Sequence, residues 1–243
     1  MDIKGKTALI TGAAKRVGRV IALHLARKGA DIVLHYHHSK EDALTTQKEI
    51  KALGVHCHLA QANLSETSHI LGMTEELSKN KVTVDILVNS ASIFYKTPLE
   101  TVTEEDWDAF MNANLKSYFT LSRELGLQMK KGPGGKIINI ADWSGFRPYK
   151  DFVPYCTSKG GLLTLTKALA RDLAPSVHVN AIAPGPVMKP DDLCEEENEK
   201  VIKKTPLGRW GKPEDIAHAT AFLIENDYIN GTVLVVDGGR SIV

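Results

Sequence analysis

The stretch Thr7-Ala-Leu-Ile-Thr-Gly-Ala-Ala-Lys-Arg-Val-Gly18 decides the fold predicted for this chain of 243 residues. It begins as a short apolar run typical of a strand, turns at a glycine, and continues in a helical pattern through Val17, Ile21 and Leu25. A second strand-like run follows at Asp31-Ile-Val-Leu-His-Tyr36. Because the apolar period changes from strand-like to helix-like and back, these residues predict a βαβ unit.

The same alternation continues along the chain. Further strands are predicted at about 56–60, 85–89, 136–140, 177–182 and 232–236, and helices at about 40–53, 67–79, 104–130, 155–173 and 213–224. Continuous apolar runs such as Ile86-Leu-Val88 are typical of parallel strands covered on both faces. We therefore expect an α/β fold: a single doubly wound Rossmann-type parallel sheet with helices on both faces, in one domain over residues 1–243. Residues at about 186–212 are rich in Pro, Lys and Glu and predict either a solvated loop with a short helix or a lid over a ligand site.

Composition excludes several classes of function. The net charge of +1 gives no reason to expect a nucleic-acid or membrane-surface partner. The cysteines, Cys57, Cys156 and Cys194, are odd in number and widely spaced, which argues against a disulfide framework and for a reducing compartment. The histidines lack metal-ligand spacing, so no metal is expected. Neither a signal peptide nor an apolar run of about 18 residues is present, so we expect a cytoplasmic protein.

The turn after the first strand has the composition of a phosphate loop. Gly12 allows a tight turn, and Gly18 allows the helix to pack closely. The helix N-terminus then presents free N–H groups to a pyrophosphate. Since this turn follows a strand and opens a helix, the sequence predicts a dinucleotide site here.

The second strand ends in His35-Tyr36-His37-His38-Ser39, where NAD-binding proteins place an acidic residue on the ribose. No acid stands at this strand end, and Lys15 and Arg16 lie in the neighbouring turn. These groups suit a 2′-phosphate that a carboxylate would repel, so NADP(H) is predicted over NAD(H). The alternative is a polar turn without a phosphate ligand.

Six motifs, in order along the chain, resemble the short-chain dehydrogenase/reductase family. They are the Thr-Gly turn after the first strand, Asn89-Ser-Ala-Ser92, Asn114 within Asn112-Ala-Asn-Leu115, Tyr155-Cys-Thr-Ser-Lys159, Pro184-Gly185 and Asp237-Gly-Gly239. The resemblance implies that Asn89 and Ala91 line the adenine-ribose side, that Asn63 lies near the adenine, and that Pro184, Gly185 and Val187 face the nicotinamide. It also implies a homotetramer.

Together the turn, the strand end and the resemblance give one predicted cofactor set for NADPH/NADP+. Its members are Gly12, Lys15, Arg16, Val17, Gly18, His37, His38, Ser39, Asn63, Asn89, Ala91, Ser92, Tyr155, Lys159, Pro184, Gly185 and Val187.

Two departures from the family pattern point to one branch. Ser92 stands where the family has a glycine, and Arg16 stands at the third glycine of the first turn. With Thr-Gly-Ala-Ala-Lys-Arg, His-Tyr-His-His-Ser and Ala91-Ser-Ile-Phe-Tyr-Lys-Thr-Pro-Leu99, these departures look like the pteridine reductases. That resemblance implies that Arg16, Ser92 and Phe94 help to hold a pterin or the cofactor phosphates.

The predicted catalytic pair is Tyr155 and Lys159, which lie four positions apart and so on one helix face. A phenol has a pKa near 10, and a nearby ammonium is expected to lower it towards neutral pH. Lys159 can also hold the nicotinamide ribose. With Asn114 and Asp142, these residues form the predicted catalytic set.

Asp142 occupies the position thirteen residues before the tyrosine, where the family usually has a serine. A serine hydroxyl donates to a carbonyl oxygen that gains charge, whereas an ionised aspartate would oppose that charge. A protonated Asp142 could donate, which suits reduction of a C=N bond, and the pteridine reductases also have Asp here. The alternative is that Asp142 is structural and that Ser144 supplies the hydroxyl.

The leading functional hypothesis is an NADPH-dependent reductase of a pterin or dihydropterin, with a substrate set of Arg16, Ser92, Phe94, Asp142 and Tyr155. The alternative is a carbonyl reductase, such as one for 3-oxoacyl chains on a carrier protein. A third hypothesis is a non-catalytic dinucleotide sensor. The sequence leaves open whether Trp143 and Trp210 line the site, and it indicates that Cys156 packs in the interior.

Overall fold

Seven parallel strands form one sheet in a computed structural model that describes residues 1–189 and 193–243. The strands are β1 (Thr7–Ile10), β2 (Asp31–Tyr36), β3 (Cys57–Gln61), β4 (Ile86–Asn89), β5 (Gly135–Ile140), β6 (Val177–Pro184) and β7 (Val233–Val236). Their order is β3-β2-β1-β4-β5-β6-β7, so the chain reverses its direction of travel across the sheet between β1 and β4. In parallel sheets, ligands bind at the carboxyl ends of the strands beside such a reversal.

Helices connect the strands. Within the described residues they are α1 (Arg16–Arg27), α2 (Lys40–Ala52), α3 (Thr67–Lys79), α4 (Glu104–Met111), α5 (Ser117–Lys131), α6 (Val153–Leu173), α7 (Glu195–Lys203) and α8 (Pro213–Glu225). The continuous helix expected at about 104–130 is instead two helices joined by a π-helical turn at Asn112–Lys116. None of the helices described here combines the length and the apolar character needed to cross a membrane.

Both faces of the sheet are buried under helices. In β1, Ala8 and Ile10 pack in a core with α1 and α8, whereas Leu9 packs in a second core with α3, α5 and α6. Ile86 and Val88 of β4 belong to the first core in the same alternating way. The prediction of a doubly wound Rossmann-type sheet is thus confirmed, and the two-sided burial explains the continuous apolar runs.

Thr11 joins the two strands at the reversal. Its fully buried Oγ1 accepts hydrogen bonds from the backbone N–H groups of Ser90 at 2.8 Å and Ala91 at 2.9 Å. The turn after β1 and the loop after β4 are therefore held together at the carboxyl edge of the sheet.

Candidate active site

Two positions at the turn after β1, Gly12 and Gly18, have room for glycine only. Gly12 has a φ of +65°, and a Cβ added there would lie 3.0 Å from the Cα of Ala91. A Cβ on Gly18, in the first turns of α1, would lie 2.5 Å from the carbonyl oxygen of Gly12. Because backbone atoms cannot yield as flexible side chains can, both positions keep the turn compact.

Arg16 begins α1 with a φ of +53°. This left-handed backbone conformation costs free energy for residues other than glycine. This conformation explains why the family pattern has glycine at the position. The Arg16 side chain is exposed beside the turn. Lys15, which the sequence predicts as a phosphate ligand, already forms an ion pair: its Nζ lies 2.9 Å from a carboxylate oxygen of Asp42 in α2. Both partners are about half exposed, so this ion pair is weak and can rearrange around a phosphate.

His35 is a site residue that sequence reasoning did not single out. It is 2% exposed, its Nδ1 accepts from Gly12 N at 3.1 Å, and its Nε2 lies 3.1 Å from the carbonyl oxygen of Ala62. Since the carbonyl only accepts, the proton is assigned to Nε2. Burial lowers the pKa of His35 to about 4, which keeps the ring neutral. Its role is to hold the glycine turn in place by accepting a hydrogen bond from Gly12 N. The sequence signal for this role was a polar residue inside a buried strand.

His37 and His38 lie at the carboxyl end of β2 with ring centroids 3.5 Å apart. His38 is exposed and His37 and Ser39 are partly exposed, so all three are accessible where the 2′-phosphate is predicted. Partial burial, and then the neighbouring His38 and His69, lower the pKa of His37.

Asn89, another residue of the predicted cofactor set, is fully buried. Its Nδ2 donates to Ser122 Oγ at 3.1 Å and to Asn139 Oδ1 at 2.9 Å, so the side chain joins β4 to β5 and α5. Ala91 and Asn63 are partly exposed at the edge of the sheet. Asn89 therefore acts on the cofactor side indirectly, by holding the carboxyl end of β4 in place.

Pro184 ends β6 and brings Gly185 against the turn that follows β7. A Cβ on Gly185 would lie 2.6 Å from the Cα of Asp237. The Asp237 carboxylate in turn accepts from Gly239 N at 2.8 Å and Ser241 N at 2.6 Å. On the predicted nicotinamide side, Gly185 thus packs against the turn at Asp237.

A cavity of about 300 Å³ adjoins this side and is lined by Val187, Arg209, His218 and Asp237 among others. Within the predicted lid, about 186–212, the structure places α7. Trp210 is held there, its Nε1 donating to Asn198 Oδ1 at 2.9 Å. Residues 190–192 of the predicted lid lie outside the described residues.

Tyr155 and Lys159 lie together on α6, 6% and 2% exposed. The Tyr155 hydroxyl donates to Asp142 Oδ2 at 3.0 Å, and Lys159 Nζ donates to the carbonyl oxygen of Ile140 at 3.1 Å. Nζ also lies 5.7 Å from the centroid of the Tyr155 ring. The structure therefore brings the phenol, the carboxyl and the amine together.

The charges around the phenol act against the expected effect of Lys159. Burial, and after it the charge of Asp142, raises the pKa of Tyr155 well above its usual value of 10.0. Burial lowers the pKa of Lys159 to about 8, with Asp142 acting in the opposite direction. The expectation of a lowered phenol pKa is wrong, because burial and the carboxylate dominate. The Tyr155 phenol is consequently protonated at neutral pH.

Asp142 is surrounded by donors. Besides Tyr155 at Oδ2, its Oδ1 accepts from Ser144 N at 2.7 Å and from the Tyr149 hydroxyl at 3.0 Å. An ionised carboxyl is an acceptor only, so this arrangement suits the carboxylate better than a protonated Asp142 that donates. The Ser144 hydroxyl is buried, and within residues 1–189 and 193–243 it has no hydrogen-bond partner. The backbone N–H of Ser144 is the group that the structure places on Asp142.

Asn114 lies in the π-helical turn and is fully buried. Its Oδ1 accepts from Ile93 N at 2.9 Å, and its Nδ2 donates to the Ile93 carbonyl at 3.1 Å and to Ser158 Oγ at 3.4 Å. Asn114 thus ties the loop after β4 to α6. Interruptions of this kind in helices are frequent at functional sites.

Phe94 presents an aromatic face beside Tyr155. It is 57% exposed, stacks on Phe152 at 4.7 Å with an angle of 10°, and meets the Tyr155 ring edge-on at 4.8 Å. Ser92 is exposed nearby. Cys156 is buried against Phe110 and Tyr155, in agreement with the prediction that it packs.

Residues 12–241 match a protein family described as enoyl-(acyl carrier protein) reductase. The 3-oxoacyl-[acyl-carrier-protein] reductase FabG of Staphylococcus aureus is 36% identical over 239 residues, covering 96% of this chain and 97% of the relative. The 2-dehydro-3-deoxy-D-gluconate 5-dehydrogenase of Bacillus subtilis is 39% identical over 245 residues, with 98% and 95% covered.

A solved structure gives the same result. A blue fluorescent protein from a metagenomic library, in complex with NADPH, superposes with a TM-score of 0.91 at 33% identity and covers 99% of this chain and 100% of its own. None of these relatives singles out the pteridine reductase branch. The chain is an oxidoreductase that belongs to the short-chain dehydrogenase/reductase family.

Proposed function

We propose that this chain is an NADPH-dependent reductase in which Tyr155 donates the proton that accompanies hydride transfer. The observation that carries the proposal is the buried Tyr155 hydroxyl, held by Asp142 and backed by the amine of Lys159. Its high pKa keeps the proton on the phenol at neutral pH, as a donor in reduction requires.

The cofactor set fits NADPH. Gly12 and Gly18 keep backbone atoms close together in a turn that a Cβ would fill, which leaves the α1 N-terminus open to a pyrophosphate. Arg16, His38 and Ser39 are the groups proposed to meet the 2′-phosphate. The metagenomic relative solved with NADPH supports this choice.

Bound NADPH would supply the hydride, and the chain would supply position and proton. The Tyr155 hydroxyl turns from Asp142 Oδ2 to the substrate heteroatom and gives up its proton. Lys159, whose pKa of about 8 leaves it mostly charged at neutral pH, stabilises the phenolate that remains. Asn114 holds the loop that carries Phe94 against α6 throughout.

A carbonyl compound is the first substrate class that we propose. The Staphylococcus aureus relative, with 97% of its length covered, is a 3-oxoacyl-carrier-protein reductase, which supports a substrate of this type. A ketone oxygen needs one proton, and Tyr155 supplies one.

A pterin or dihydropterin is the second candidate, and two observations favour it. Asp142 replaces the serine that would assist a ketone, and Phe94 exposes a flat face next to Tyr155 on which a heterocycle could stack.

One experiment separates the two classes: kcat/KM with NADPH for a 3-oxoacyl ester and a dihydropterin, in the wild type and in Asp142→Ser. A carbonyl reductase prefers the ester, and the new hydroxyl preserves or improves that activity. A pterin reductase prefers the dihydropterin and is slowed by the substitution. Turnover of neither compound by the wild type would contradict both assignments. A homotetramer and a cytoplasmic location stay predictions.

A further inference from the structure

Tyr149 is a second phenol on the Asp142 carboxylate that the proposed reaction does not use. It lies in the loop before α6, and its hydroxyl donates to Asp142 Oδ1 at 3.0 Å, the same distance at which Tyr155 donates to Oδ2. The rings of Tyr149 and Tyr155 are nearly parallel, at 10°, with centroids 6.5 Å apart. One carboxylate thus bridges two phenols.

We propose that Tyr149 is a positioning residue that holds Asp142 Oδ1 and thereby fixes Oδ2 on the hydroxyl of Tyr155. This inference rests on the proposed function, because it concerns the proton donor of that reaction. Tyr149 acts on the hydroxyl of Tyr155 through the carboxylate of Asp142.

The surroundings of Tyr149 fix its ring independently of the hydroxyl. Its ring meets Trp143 edge-on at 5.2 Å and Phe152 edge-on at 5.9 Å. Its backbone N–H donates to Cys156 Sγ at 3.3 Å. Since these contacts do not need the hydroxyl, the hydroxyl is free to serve Asp142.

The division of labour on the carboxylate follows from its hydrogen bonds. Oδ1 is held by Ser144 N and by the Tyr149 hydroxyl, which together set the plane of the carboxyl. Within the part of the chain that the structure describes, Oδ2 accepts a hydrogen bond from Tyr155 alone. The Tyr149 hydroxyl also takes up part of the negative charge that would otherwise act on Tyr155, since each donor stabilises the carboxylate.

Other ionisable groups lie near this network. They are Lys159, Tyr118, Cys156, Arg240 and Arg147. Among them Arg240 lies over the Trp143 ring at 5.6 Å, which connects the end of the chain to the same aromatic contacts.

The test is Tyr149→Phe, which keeps the ring contacts and removes only the hydroxyl. With whichever substrate the wild type reduces, we expect kcat to fall about tenfold, the effect of one hydrogen bond to a charged group, while the Kd for NADPH stays within about twofold. Because Asp142 then acts on Tyr155 with less of its charge neutralised, the pH at which kcat declines on the alkaline side should rise by about one pH unit.

The matched control is Tyr95→Phe, which removes another tyrosine hydroxyl that donates to an aspartate at 3.0 Å, here Asp106. This variant should retain the kcat and the pH profile of the wild type. A double-mutant cycle adds Asp142→Asn. In that background Tyr149→Phe should change kcat by less than about twofold, because the charge that it serves is gone.

The outcomes decide the proposal. A Tyr149→Phe enzyme with the kcat and pH profile of the wild type would overturn it, as would an undiminished effect in the Asp142→Asn background. If Tyr149→Phe does not fold, Tyr149→His replaces it. If the histidine variant folds, a new transition in kcat at about pH 6.5 supports the proposal. A kcat profile without such a transition overturns it. Tyr155→Phe in parallel tests the proposed function itself, which fails if that variant retains turnover, whatever Tyr149 does.

Discussion

Replacing Lys159 with methionine should stabilise the protein at neutral pH while it destroys the activity. The amine is 2% exposed, and burial lowers the pKa of Lys159 from 10.5 to about 8. Between pH 8 and 10.5, Lys159 therefore binds a proton in the unfolded chain but not in the folded one. As the pH falls through this window, the free energy of unfolding decreases.

The magnitude follows from the two pKa values. The difference between 10.5 and about 8, at about 1.4 kcal/mol for each pH unit, makes the buried charge cost about 3 kcal/mol of folding free energy below pH 8. Methionine has a similar length and no charge, so Lys159→Met should gain stability of up to that size. The loss of the partner of Asp142 offsets part of the gain. Turnover should fall by about a hundredfold or more because the phenolate loses its cation.

Urea unfolding of both proteins without cofactor, at pH 7 and pH 10, measures the effect. The variant should be more stable at pH 7, and the two proteins should converge as the pH rises through the window. Groups common to both proteins cancel in the difference. A difference that is independent of pH, or a variant that is less stable at pH 7, would refute the assignment of a charged and penalised amine in the core.

Three further predictions concern the cofactor turn. Gly18→Ala should weaken NADPH binding at least about tenfold in a fluorescence titration because its Cβ would lie 2.5 Å from the Gly12 carbonyl oxygen; Gly72→Ala, with no atom within 4 Å, is the control and should bind normally. Arg16→Ala should weaken binding of NADPH by about tenfold and leave that of NADH unchanged, and equal losses for both would exclude a contact with the 2′-phosphate. Because His35 has a pKa of about 4 when folded and 6.5 otherwise, the stability of the cofactor-free enzyme should fall between pH 6.5 and 4, and His35→Gln should lose this dependence in thermal unfolding.

The parallel sheet could be predicted from the sequence because strands buried on both faces are continuous apolar runs. The runs at Thr7–Ile10 and Ile86–Asn89 match the structure closely. The alternation with helices predicted parallel strands, whereas their order across the sheet came from the structure. The break at Asn112–Lys116 could not be predicted, since a π-helical turn depends on the contacts of Asn114 with Ile93 rather than on apolar spacing.

The site was predictable where a motif fixes a local geometry, and unpredictable where it depends on the tertiary surroundings. The spacing of Tyr155 and Lys159 places both on one side of a helix in any context. The direction of their pKa values does not follow from spacing, because it is set by burial and by Asp142. Likewise His35 was identifiable only as a polar residue in a buried strand, and its partners required the fold.

The charge of Asp142 also bears on the pH range of the proposed reaction. Oxidation of an alcohol needs Tyr155 as a phenolate base, whereas reduction needs the protonated phenol. A serine at position 142 would leave the charge of the phenolate unopposed, but the carboxylate repels it and raises the pKa of Tyr155 further. Lys159 cannot fully compensate, because burial weakens its own charge. Among enzymes built on the same tyrosine and lysine pair, an aspartate at this position therefore keeps the phenol protonated, and its proton available for reduction, up to a higher pH than a serine would.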